Sequence, residues 1–246
     1  MTTTDEVREL LLGASEALIE ASFRTGDFAP AREQAEAAHA EAARGTDLAA
    51  QASALDTLGM LAHYENIASL MSGSAVATAD IDAEERLFRQ ALSCWQSAGA
   101  PAASAQSLFG LGLVFQVLHS DWTTAMPYYW QALGLVASPD SGADPYLRSE
   151  VHRHIGFYFL VEAAQPAEAV RHLQISLDLR EELGDARRVP SGLVALGQAE
   201  LEAGNRESAV EILRRAVADA RAAGLLPARI EDAERALTDA EAASQP

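Results

Sequence analysis

The residues best suited to chemistry at neutral pH are six histidines and a single cysteine, Cys94. His152 and His154 form an HxH pair. On a helix, positions i and i+2 point to different sides, so these two rings share no metal. Glu150 and His154 stand at i and i+4 and do share a face. Two ligands without an HExxH or a second paired motif make no complete metal site, so none is expected. His63, with Asp56 and Tyr64 nearby in sequence, has the make-up of a general base. Gly110-Leu111-Gly112 lacks the third glycine and the preceding strand of a dinucleotide loop, and reads as helix packing. All 18 basic residues are arginine, which removes the P-loop lysine and Schiff-base chemistry. No catalytic set assembles from these residues, and no cofactor is implied.

About half of the chain is hydrophobic, much of that alanine, and aromatics make up 6%. Alanine is the best helix former, and long period-2 alternation is absent, so the class expected is all-α. The net charge is −18, with residues 1–147 carrying 6 arginines against 19 acids. Such a surface repels phosphate backbones, which argues against direct nucleic-acid binding, and its N-terminal half suits a basic partner. One cysteine forms no internal disulfide. The N-terminal stretch lacks the positive charge of a signal peptide, and no run approaches 18 apolar residues. Cytoplasmic location without membrane insertion is the expectation.

An internal repeat organises the helices. Leu193-x-x-Leu196-Gly197 is followed by Gly204, Ala209, Leu213 and Ala216, and Ile155-Gly156 by Ala169, Leu173 and Leu177. Leu108-x-x-Leu111-Gly112 is followed by Ala125, Tyr129 and Ala132. Leu55-x-x-Leu58-Gly59 leads, after a longer gap, to Leu87 and Ala91. The least regular copy has Leu18, Gly26-Asp27-Phe28, Ala31, Ala35 and Ala38. The two leucines share a helical face. The glycine lets a second helix cross closely, with the alanine expected at the same crossing. The pairs span 4–45, 46–100, 101–142, 143–185 and 186–224 of one 1–246 domain, with an inserted loop at 72–82. An amphipathic helix over 226–243 caps the last pair. Prolines 30, 101, 145, 166 and 227 fit first helical turns, whereas Pro127 and Pro190 imply a late start or a kink. Thr3-x-x-Glu6 reads as a capping box.

These motifs, above all Glu182-Leu183-Gly184-Asp185 through Leu225, resemble the tetratricopeptide repeat family, in the roughly 40-residue form of actinobacterial and MalT-like regulators. The resemblance implies an α-α superhelix of about five helix pairs; the chain departs from the large regulators in that nothing in it looks like their nucleotide-binding module or helix-turn-helix domain. It also implies a concave groove lined by the first helix of each pair. Carried over by position, that groove comprises Asp56, Met60, His63 and Tyr64; Gln106, Phe109, Leu113 and Gln116; Glu150, Arg153, Phe157 and Leu160; and Val194, Gln198 and Leu201. A partly apolar trough of this kind suits a protein or peptide segment, with Arg153 placed to grip a carboxylate. Two alternatives stand beside it. One is a small-molecule sensor or an atypical enzyme of secondary metabolism using His63, His152 or His154. The other is a structural oligomerisation module, for which aromatic surface around Trp122, Tyr128, Tyr129 and Trp130 would serve a homodimer.

Overall fold

The computed structural model describes residues 3–137 and 144–243. The boundary expected at 142/143 lies outside the described residues, as does the side chain of Thr3 and with it the expected capping box. The helices are α1 (Thr3–Glu20), α2 (Ala29–Ala42), α3 (Leu48–Met71), α4 (Thr78–Ser97), α5 (Ala105–Leu113) and α6 (Trp122–Val136). They continue with α7 (Pro145–Phe157), α8 (Pro166–Leu183), α9 (Val189–Glu202), α10 (Arg206–Ala222) and α11 (Pro227–Ala242). Among the described residues there is no strand, and the helices pack as five consecutive pairs and a terminal helix, an all-α fold of the solenoid class. None of these helices is long and apolar enough to cross a membrane. The chain divides into two compact units, Met1–Gly142 and Ala143–Pro246.

Local sequence explains where the helices begin. Asp47 accepts from the backbone N–H groups of Ala49 and Ala50, Asp121 from Thr124, and Asp144 from Tyr146. Each satisfies N–H groups that the first turn leaves without partners. Pro30, Pro145, Pro166 and Pro227 stand in first turns, and Pro190 does too because α9 begins late, at Val189. Pro101 instead sits in a turn before α5, and α6 runs through Pro127 without interruption. The expected loop at 72–82 is shorter than anticipated: α4 starts at Thr78, with Asp80 in its first turn, where a negative charge favours the helix. The extra length of this pair resides in α3 and α4 themselves, which have 24 and 20 residues.

Three of the first helices end in a five-residue π-turn: Ala21–Thr25 after α1, Val114–Leu118 after α5 and Tyr158–Glu162 after α7. Each closes with an i+5 bond, from Gly26 to Ala21, from His119 to Val114 and from Ala163 to Tyr158. A left-handed residue follows at Gly26 (φ 73°), Ser120 (φ 53°) or Ala164 (φ 50°). For the two residues with a Cβ this conformation costs about 1–2 kcal/mol.

Packing within the later pairs centres on the repeat glycines, but their partners differ from expectation. In the third, fourth and fifth pairs a large side chain of the second helix covers the glycine, one turn beyond the expected alanine. A Cβ on Gly112 would lie 2.4 Å from Tyr129, one on Gly156 2.7 Å from Leu173, and one on Gly197 2.5 Å from Leu213. In the second pair the covering residue is Phe88, three residues before the alanine of that copy, Ala91. Phe88 is fully buried and fills the space over both Gly59 and Gly110, where a Cβ would approach its ring to 2.7 Å and 2.2 Å. It therefore locks α4 to α3 and to α5 at once, in a cluster with Leu111 and Val114. In unit 2 one core runs through α8, α9, α10 and α11, from Ala169 and Leu173 to Ala236 and Ala240.

Gly110→Ala is expected to destabilise unit 1 by about 1–3 kcal/mol, because the enclosed Phe88 ring has nowhere to move. Urea unfolding followed by tryptophan fluorescence checks this, since Trp95, Trp122 and Trp130 all belong to unit 1. Ala164→Gly, which relieves the left-handed strain, is expected to raise stability by up to about 1 kcal/mol, read from the denaturation midpoint.

Candidate functional site

The residues carried over as groove positions separate into two groups. Asp56, His63, Phe109, Leu113, Glu150 and Val194 are buried and line no open groove, which corrects that expectation. The reason is helical register. Asp56 and His63 lie three before and four after Gly59, on the face that α3 turns to its partner helix. Leu113 follows Gly112 directly, and Val194 belongs to the core of unit 2. Met60, Tyr64, Gln106, Gln116, Arg153, Phe157, Leu160 and Leu201 are half-buried, and Gln198 is exposed. Gln116 accepts a hydrogen bond from the Tyr129 hydroxyl at 2.5 Å, so its amide is tied into the third pair.

In unit 1 the buried positions form two polar clusters. The Asp56 carboxylate accepts from the Trp95 indole N–H at 2.8 Å and from the Ser107 hydroxyl at 2.7 Å. Burial outweighs these two bonds and pushes Asp56 up to about 7. Glu84, fully buried, bonds to Nδ1 of His63 at 2.7 Å and accepts from Asn66 at 2.8 Å. Glu84 stands four residues before Phe88, where the other pairs have Ala125, Ala169 and Ala209 before Tyr129, Leu173 and Leu213. A carboxylate thus replaces the small crossing residue, and His63 and Asn66 of α3 satisfy it. His63 is 2% exposed and offers no face to a substrate; Asp56 and Tyr64 are not its hydrogen-bond partners as a base.

In unit 2, Glu150 stands on the same face of α7 as His154, and its carboxylate pairs with Arg180. Arg180, 2% exposed, also donates to Ser149, Ser191 and the backbone carbonyl of Arg188. His154 packs edge-on against Phe157, while His152 turns to α8 and meets His172. The Arg153 guanidinium lies over the Phe157 ring, 4.6 Å from its centre. Among the described residues no group of three His, Cys, Asp or Glu gathers to hold a metal. Aromatic surface remains at Trp130, 44% exposed, whereas Tyr129 is buried and Tyr128 stacks on Phe115.

Sequence reasoning missed Glu84, Trp95, Ser107, His172 and Arg180. Glu84 was legible had the register of α4 been set on Phe88. The others carry no signal of their own, because each acts through a residue 20 to 51 positions away that only packing brings near.

No known family pattern matches the chain, and no curated protein matches it. Among solved structures, BtubC (BKLC) from P. vanneervenii is similar over 90% of this chain and 92% of its own. The TM-score is 0.51 and the identity 16%. That likeness extends to the fold.

The Asp56 site has a defined pH signature. Between its ordinary value of 3.8 and about 7 the folded protein holds a proton that the unfolded chain has lost. Stability from this group is therefore fully present at low pH, falls as pH rises through that window and is flat above it. Asp56→Asn keeps an acceptor for Trp95 and a donor for Ser107 and is expected to remove that slope. Urea titrations at several pH values, read by tryptophan fluorescence, compare the two proteins.

Proposed function

We propose that the chain is a tetratricopeptide-like scaffold or regulatory module that binds an extended protein segment on the first-helix face of unit 2. The observation that carries this reading is a strip of half-buried apolar side chains on successive first helices. Phe157, Leu160 and Leu201 all pack onto the core of unit 2 and keep part of their surface outside, and α7 and α9 are in contact. Such residues are held in place by the core beneath them, so a ligand meets a preorganised surface. Arg153, stacked on Phe157, and exposed Gln198 add hydrogen-bonding groups along the same strip. This is the composition of a site where apolar anchors supply affinity and a few polar groups set register. The tetratricopeptide-like reading is supported by the regular spacing of Gly112, Gly156 and Gly197, each under a large residue of the following helix.

Peptides selected from a displayed random library on the unaltered chain provide the test. The double variant Arg153→Ala, Phe157→Ala is expected to weaken the selected peptides at least about tenfold, measured by fluorescence anisotropy. Unchanged affinity would place binding elsewhere and overturn this reading.

A further inference from the structure

The Asp56 carboxylate ties both ends of the α4–α5 connection to α3. Trp95, which donates to one of its oxygens, stands two residues before the end of α4. Ser107, which donates to the other, is the third residue of α5. Between them lie left-handed Gly99 (φ 67°), Pro101 and a turn through Ser104. The backbone bonds of this stretch are local: Ala98 donates to Cys94, Ala100 to Trp95 and Ser104 to Pro101. Asp56 is 4% exposed and Ser107 is fully buried, so the carboxyl and its donors are sealed between three helices.

The helices around Asp56 bring it no counter-charge. α5 has no titratable residue, and residues 90–97 of α4 include only Cys94. Glu84, the buried acid of α4, is held by His63 and Asn66, about two turns or more along α3. On α2, Arg32 pairs with Glu36 and Glu65, Glu41 pairs with Arg44, Glu33 is exposed and His39 is half-buried. The ionisable residues of α1 are exposed, except Glu20, which pairs with Arg24. Among the described residues, the titration of Asp56 answers to burial, Trp95 and Ser107. A carboxyl sealed with two neutral donors favours its protonated form, and only water can compensate the ionised one. The short connection, held by local bonds, is the part of this junction that can admit water without separating the long helices α3 and α4.

We propose that Asp56 is a proton-operated latch: its protonated carboxyl holds both ends of the α4–α5 connection to α3, and its ionisation accompanies a local opening of residues 98–107 to water while the rest of unit 1 stays folded. The device lies in unit 1 and does not depend on peptide binding to the strip in unit 2. In the opened form Asp56 titrates at its ordinary value of 3.8, and in the closed form at about 7. The opening equilibrium therefore rises about tenfold per pH unit between those values and levels off above about pH 7.

Hydrogen exchange of the full chain tests this, followed by mass spectrometry in unit steps from about pH 5 to about pH 9 and divided by the intrinsic rates. The peptide covering residues 96–108 is expected to exchange about tenfold faster per unit up to about pH 7 and then level off. Dilute urea should leave that exchange unchanged, because a local opening exposes little surface. In Asp56→Asn the slope is expected to vanish. In Ser107→Ala, which removes a bond that favours the ionised form, the levelling moves to higher pH. A rate independent of pH in the unaltered chain, or a slope that survives in Asp56→Asn, overturns the proposal. So does exchange that accelerates with urea in step with the amides of α3, because opening would then be unfolding of the whole unit. Should Asp56→Asn not fold, an unmoved plateau in Ser107→Ala overturns it by itself.

Discussion

The close approach of paired helices over a glycine is the constraint on which the remaining structure rests. Wherever Gly112, Gly156 or Gly197 stands on a first helix, Tyr129, Leu173 or Leu213 of the next helix occupies the space a side chain would need. A large residue enclosed this way brings about 1.5–3 kcal/mol of burial and determines helix separation and register together. Phe88 extends the device, because one ring fills the space over Gly59 and Gly110 and so couples α4 to the helices before and after it. Positions one turn away inherit their environment from this contact. Those on the glycine face become core, and those a third of a turn off become surface.

That inheritance explains the buried polar residues. Glu84 occupies the position of a crossing alanine, and such a substitution survives only where partners are built in, here His63 and Asn66 on α3. Asp56 with Trp95 and Ser107, and Glu150 with Arg180, follow the same rule between neighbouring helices. Each cluster ties helices of successive pairs or of one pair by directional bonds that an apolar contact does not provide. Their low-dielectric surroundings also set the chemistry, keeping the Asp56 carboxyl protonated well above the usual range.

The π-turns give the first helices a second role. By widening the last turn they bring Phe115 and Phe159 over the following helix, where Phe115 stacks on Tyr128 and Phe159 on His172. In unit 2 this holds the His152–His172 pair across α7 and α8.

Much of the fold was legible in the chain itself, because helix pairing follows from local patterns: alanine-rich periodicity, aspartate caps, first-turn prolines and glycines at regular spacing. The five pairs and the terminal helix needed no long-range information. The register of α4 is not legible in sequence, since Leu87 and Phe88 are both apolar and only the space above Gly59 and Gly110 distinguishes them. Side-chain exposure was not legible: positional carry-over grouped half-buried Phe157, Leu160 and Leu201 with buried Asp56, His63 and Glu150. A polar residue on a helix looks the same in sequence whether it faces water or a buried partner. The meeting of His152 with His172, and of Glu84 with His63, was decided by tertiary structure alone, because hydrogen bonds across 20 or 21 positions depend on how two helices cross.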